Sequence, residues 1–193
     1  MLRFFRAGSL IAAAGLVLFG CGSDPAGSGG LLPDEHSIGW ARNLADPVRD
    51  LELPDGVLFM ISCIDINDEG QPENLIPWQF YYTEPSDSSD VLIVMVQYTG
   101  TTNHFWEDDT SVPISELPDY DDAGPWVNSA RAGMGQGYSD WEEYALIVKG
   151  NDYPEFPMAL NVAVLQFMSP DTTEQLTAII NSDTDSLLAI IEY

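Results

Sequence analysis

"ALNVAVLQFMSPDTTEQLTAIINSDTDSLLAIIEY", residues 159–193, is the stretch on which the fold turns. It contains three apolar, β-prone runs, at 159–167, 176–180 and 187–193, each bounded by turn-forming residues. The segment "NSDTDS" is short enough to join the last two runs as a hairpin, which predicts neighbouring antiparallel strands. A further run at 144–149 predicts a strand before them, and 127–134 starts a helix.

The front of the globular part reads the same way. Ile38, Ala41, Ala45 and Val48 recur at helical spacing, with Ser37 or Asp34 as the cap, and Pro47 is expected to break or redirect that helix. Strands are expected at 57–66, 78–83 and 91–98, separated by "NDEGQPEN" and "EPSDSSD". A shift of 85 sets Pro85 on Pro170, Val91 on Leu176 and Val94 on Ile179, a correspondence of pattern that predicts a duplicated unit. The expected fold is α+β, with two similar helix-plus-antiparallel-sheet modules of order α-β-β-β. The first would span 35–104 and the second 126–193, with an acidic, aromatic linker over 105–125.

Three stretches carry a family resemblance. "WVNSARA" at 126–132 resembles the W-x-D-S-x-x-A helix start of PepSY-like exported domains, with Asn128 where Asp is usual. "AIINSDTDSLLAI" at 178–190 resembles their closing hairpin, with Asp185 where Gly is usual. "IDINDEGQPENLIPWQFYYTEP" at 64–85 is similar to the V-D-x-x-G and W-x-Y-x-F stretch of tandem modules of this kind. The resemblance implies α+β modules associated with envelope proteins and sometimes with protease regulation, and it implies no catalytic residues.

At the other end, Arg3 and Arg6 precede an apolar, small-residue-rich segment at 7–20, about the length of the apolar region of an export signal. A bilayer-spanning helix needs roughly 20 apolar residues, and this run ends in Gly, Ser, Asp and Pro. Leu18-Phe19-Gly20-Cys21 resembles the lipobox of bacterial lipoprotein signal peptides. That resemblance implies cleavage after Gly20, a diacylglycerol on the Cys21 thiol and acylation of the new amino group, so that residues 1–20 are a signal peptide. Two or three acyl chains would hold the protein to the membrane lastingly. Residues 21–34, rich in Gly and Ser, read as a flexible tether. By the same resemblance, Gly22 and Ser23 carry no inner-membrane retention signal, which favours the outer membrane.

Composition narrows the partners. The chain carries 31 acidic and 6 basic residues for a net −25, and loss of Arg3 and Arg6 with the first twenty residues would leave −27. Phosphate backbones are bound through Lys and Arg, so nucleic acid is excluded as a partner. Anionic lipid would also be repelled, leaving the acyl anchor to hold the protein at a membrane. High net charge reads first as a solvated surface and second as a binder of divalent cations. With Cys21 acylated, Cys63 is the one remaining cysteine, and its place in "VLFMISCIDI" predicts a buried, inert thiol.

The remaining motifs are weighed against plainer readings. Asp65, Asn67, Glu69 and Gly70 occupy positions 1, 3, 5 and 6 of a calcium loop, but Ile76 stands at position 12 and the flanks read as strands. The expected structure there is a hairpin turn with Gly70 at positive φ. Glu107, Asp108, Asp109, Asp119, Asp121 and Asp122 read as a solvated loop, His36 and His104 as separate surface histidines, and "GMGQG" at 133–137 as a helix end. No nucleophile elbow, zinc-helix pair or Cys/His arrangement occurs, so no catalytic residue, metal site or cofactor is expected. Trp78 is expected in the core. Phe105 and Trp106 are expected in the linker, either packed across the two modules or, as the candidate partner-binding pair, exposed.

These observations predict a non-catalytic binding or accessory module for another envelope protein. The alternatives are a calcium-responsive or cell-surface adhesion protein, and a hydrolase whose catalytic groups lie far apart in sequence.

Overall fold

A computed structural model describes residues 35–73, 75–85, 87–108 and 115–193. The first helix, α1 (Ile38–Glu52), starts where Ser37 Oγ accepts the Trp40 amide at 3.2 Å. Ile38, Ala41 and Ala45 form its buried stripe. The helix continues through Pro47 to Glu52 and is not broken there, against expectation. Asn43, whose carbonyl loses its partner to that proline, is exposed along with Pro47, so water can satisfy the freed oxygen.

Four strands follow: β1 (Val57–Ile64), β2 (Trp78–Glu84), β3 (Asp87–Val96) and β4 (Thr102–Asp108). Then comes α2 (Gly124–Met134), with Pro125 in its first turn, and it ends at Gly135 with φ +78°, the helix end expected for "GMGQG". Four more strands complete the chain: β5 (Glu142–Gly150), β6 (Asn161–Met168), β7 (Gln175–Asn181) and β8 (Ser186–Glu192). All eight form one antiparallel sheet in the order β4-β3-β2-β1-β5-β6-β7-β8. The architecture is α+β and dominated by its sheet.

Both helices lie on the same face. α1 packs on β2, β3 and β4, and α2 on β6, β7 and β8. Between helices and sheet, one core runs through Ile61, Trp78, Phe80, Tyr82, Leu92, Val94, Trp126, Leu165 and Phe167. Trp78 is buried as expected, and its indole N–H donates to the His36 carbonyl at 2.8 Å.

Pairing repeats between the two halves. Val57 pairs with Thr83 and Leu58 with Tyr82, a bulge follows, and then Met60 pairs with Tyr81. Glu142 pairs with Met168 and Glu143 with Phe167, a bulge follows, and Ala145 pairs with Gln166, each 85 positions further on. In the next strand the offset falls to 84, so Leu92 and not Val91 matches Leu176, as Val94 matches Ala178. A constant shift would have set outward residues on inward ones, because side chains alternate along a strand.

Each half contains four strands, one more than the expected α-β-β-β order, although all four of the second half are read individually from the sequence and only the first half lacks one. The missing one is β4, which pairs with β3 from Asp90 to Val96 and takes its last residues, 105–108, from the segment placed in the linker. Its sequence, "TNHFWED", lacks the apolar run by which the other strands are legible. After Asp108, residues 115–123 are part of the fold as well: the Leu117 amide donates to the Leu58 carbonyl at 2.8 Å, and Leu117 and Tyr120 are buried.

Candidate functional site

Strand alternation sends half of the sheet's side chains to the face opposite the helices. Two apolar patches lie there. Phe59, Val91 and Ile93 form one, with Met60 and Tyr81 against them. Val162, Val164 and Ile179 form the other, with Ile147, Leu188, Ala189 and Ile191 beside them. Tyr153 and Phe156, from the β5–β6 connection, fold onto the second patch. Asn151 holds that connection in shape, its Nδ2 donating to the Phe156 and Ala159 carbonyls at 2.7 and 2.9 Å. Polar side chains separate the patches: Tyr81 donates to Gln79 Oε1 at 2.7 Å, and Ser62 donates to the Tyr81 hydroxyl at 3.3 Å. No helix among the described residues covers this face.

Phe105 belongs to it. It pairs with Ile93 on β3, so its ring stands on the helix-free side, 38% exposed. Trp106 pairs with Leu92, which packs under α1, so its ring is on the helix side, 44% exposed. Adjacent strand residues point to opposite faces, and the two rings therefore do not form one anchor.

The acids expected in a solvated linker are scattered and partly engaged in the fold. Asp119 pairs with Arg42 at 2.8 Å, and Asp122 Oδ1 accepts the Gly124 amide at 3.0 Å. Asp109 and Cys21 lie outside the described residues. Of the two histidines, His104 is exposed and 3.8 Å from Glu52, whereas His36 is half-buried and stacked on Tyr98 with ring centroids 3.6 Å apart.

A second feature joins residues far apart in sequence. The β1–β2 connection and the approach to β5 enclose an open cleft of about 580 Å³. It is lined by Asp65, Asp68, Glu69, Glu73, Asp140, Glu142 and Glu143, with Arg131 from α2 as its basic group. The calcium-loop candidate forms one wall as the expected turn. Asn67 Oδ1 accepts the Glu69 and Gln71 amides at 3.0 and 2.9 Å, and Gly70 takes φ +75°. Gly70 also packs so closely on α2 that a Cβ there would lie 2.6 Å from the Ala123 carbonyl carbon.

Arg131 closes the inner end of the cleft. Its Nε and Nη2 each donate to a Glu143 carboxylate oxygen at 2.7 Å, and its guanidinium lies 5.1 Å from the centre of the Phe167 ring. Glu143 is 5% exposed. Burial raises its pKa above the ordinary carboxylate value, and the Arg131 hydrogen bonds oppose that rise. Among the described residues, no three His, Cys, Asp or Glu side chains gather closely enough to hold a metal ion. Arg131, Asp140, Glu142 and Glu143 were missed at the sequence level, where nothing links them to the residues of the β1–β2 connection. Cys63 is buried beneath the helices, and desolvation, with Asp65 nearby, pushes its thiol pKa up to about 12.

No family model matches the sequence, and no curated protein does. Among solved structures, the chain is similar to a crystal structure from Clostridium difficile 630 described as a "putative lipoprotein", with 8% identity and a TM-score of 0.53. The match covers 82% of this chain and 99% of that one. At that identity the likeness is one of fold alone.

Proposed function

We propose that this chain is an exported, lipid-anchored envelope protein whose folded part is a non-catalytic binding or accessory module for another envelope protein. In this reading Cys21 carries the anchor, residues 21–34 are the tether and the outer membrane is the favoured location. The two halves are copies of one PepSY-like module. The observation that carries the reading is the sheet face that no helix among the described residues covers, bearing two apolar patches and the exposed Phe105 ring at its rim. The lipobox-like segment and the description given to the structural neighbour support the address.

Crosslinking on intact cells, followed by mass spectrometry of the captured protein, tests this. One dominant envelope partner is expected, lost in Phe105→Ala and retained in Trp106→Ala, because only Phe105 stands on the docking face. A partner insensitive to Phe105→Ala, or turnover of an ester, glycan or peptide by the purified protein, sinks the proposal. The acidic cleft favours a second reading, a calcium-responsive protein, which a melting experiment separates from the first.

A further inference from the structure

The two halves meet in a symmetric junction. Met60 pairs with Lys149 and Ile64 with Ala145, and exchanging each residue for its counterpart 85 positions away turns the first pair into the second. The same offset sets Gly39 on Gly124, Ala41 on Trp126 and Ala45 on Ala130, all buried on their helices. A position at one end of the junction therefore has a counterpart at the other.

At one end, residues 115–120 lead across the sheet towards α2. The Leu117 amide donates to the Leu58 carbonyl at 2.8 Å, and the Leu117 side chain is buried in the core. Ser115 lies against Gly150, where an added Cβ would be 2.6 Å from the serine Cβ. The Tyr120 hydroxyl then reaches the Ser182 hydroxyl at 2.8 Å, between β7 and β8. The other end of the junction is the acidic cleft: Glu143 is the counterpart of Leu58 and Asp65 of Gly150, and both line it.

The sequence names what belongs there. Leu117-Pro118-Asp119 recurs 85 positions earlier as Leu32-Pro33-Asp34, which lies outside the described residues. The chain that follows it is in register with the repeat. His36, counterpart of Asp121, stacks on Tyr98, and Tyr98 stands 84 positions before Ser182, the residue that Tyr120 reaches. Leu32 precedes His36 by as many residues as Leu117 precedes Asp121, so the reach is equal.

We infer that residues 30–34 of this chain dock in the cleft, with the Leu32 amide donating to the Glu143 carbonyl and the Leu32 side chain against Ile66 and Trp141, the apolar residues of the lining. At the first end Arg42 holds the segment, donating to the Pro118 carbonyl at 2.9 Å and pairing with Asp119 at 2.8 Å. In the cleft the basic group is Arg131, one helical turn beyond Val127, the counterpart of Arg42. Docking shortens the free tether to residues 21–29 and fixes its root beside the β1–β5 junction, so the cleft serves this chain's own anchor segment and not a cation.

The test uses the purified full chain in detergent, with no envelope partner present, so it stands apart from the crosslinking result. Leu31 and Leu32 are chemically alike, but the counterpart of Leu31 is the exposed Glu116, and that of Leu32 is the buried Leu117. Leu32→Ala should lower the melting temperature by at least about 4 °C, and Leu31→Ala by less than about 2 °C. Residue-resolved hydrogen exchange on the unmodified protein should show the Leu32 amide slowed at least about a hundredfold relative to an unstructured chain. Equal melting shifts in the two variants overturn the inference. So does a Leu32 amide that exchanges at the unstructured rate, which would leave the cleft to a cation or to another chain. Should Leu32→Ala fail to fold, the exchange data decide alone.

Discussion

Replacing Arg131 by methionine would leave the Glu143 carboxylate buried and without its bidentate partner. Removing one member of a buried ion pair typically costs about 3–5 kcal/mol. Arg131 keeps 24% of its side chain exposed, so water can reach the vacated space, and the expected loss at pH 7 is at the lower end, about 3 kcal/mol. The second acid on Arg131, Asp68 at 3.2 Å, is 83% exposed and adds little. For a chain of this size such a loss lowers the melting temperature by about 6–12 °C.

The pH dependence carries the sharper information. Glu143 already has a folded-state pKa above its ordinary value of 4.5, and Arg131→Met raises it further by removing the group that opposes burial. A raised acid favours the fold while it is protonated, below its unfolded pKa, and loses that contribution as pH climbs through the folded value. The gap between the native protein and Arg131→Met should therefore be small near pH 4 and open towards pH 7. The double variant Arg131→Met, Glu143→Gln, which has no charge to strand, should recover to within about 1 kcal/mol of the native protein. Urea unfolding at both pH values measures all three. A deficit of equal size at pH 4 and pH 7, or no recovery in the double variant, would refute the reasoning.

Other outcomes follow from local geometry. Gly70→Ala should cost at least about 2 kcal/mol, and Gly135→Ala only about 1, because both need positive φ but Gly70 alone also meets the α2 backbone. Equal losses in urea unfolding would remove the packing argument. Cys63 should react with iodoacetamide, followed by peptide mapping, no faster than the protein unfolds at pH 8, and rapid labelling of folded protein would contradict its burial. Since its thiol is raised from 9.0 to about 12, the fold should lose stability as pH climbs above 9, where the unfolded thiol ionises first. Millimolar calcium should move the melting temperature no more than an ionic-strength-matched control, and a larger rise would favour the cation-responsive reading.

Seven of the eight strands were legible because each has an apolar face or run, as "ALNVAVLQF" and "LLAIIEY" show. β4 was not, because an edge strand over a covered neighbour can be "TNHFWED", in which charge does the protecting and periodicity is hidden. The one-residue change of offset before β7 was equally invisible, since it is a property of a turn length. For the candidate face, Phe105 and Trp106 are both exposed rings, but reading them as one pair takes neighbours in sequence for neighbours in space. The cleft had only its first wall in the sequence, at Asp65 and Glu69. Its second wall depends on β5 lying beside β1, a pairing that no local pattern encodes.

That junction also bears on how fast the molecule can form. Every other strand pair joins neighbours along the chain through a turn or a short connection, whereas Met60 meets Lys149 and Ile64 meets Ala145 only after the whole first half and α2 have been made. Closing so long a loop is entropically costly and delays folding. The two meanders can assemble early and separately, and the β1–β5 closure is then the slow, rate-setting event. Until it happens, the bare edge of β1, with its run "VLFMISCI", is open to any other unfinished chain. The vulnerable interval in the folding of this protein is therefore the one between the formation of β1 and its closure by β5.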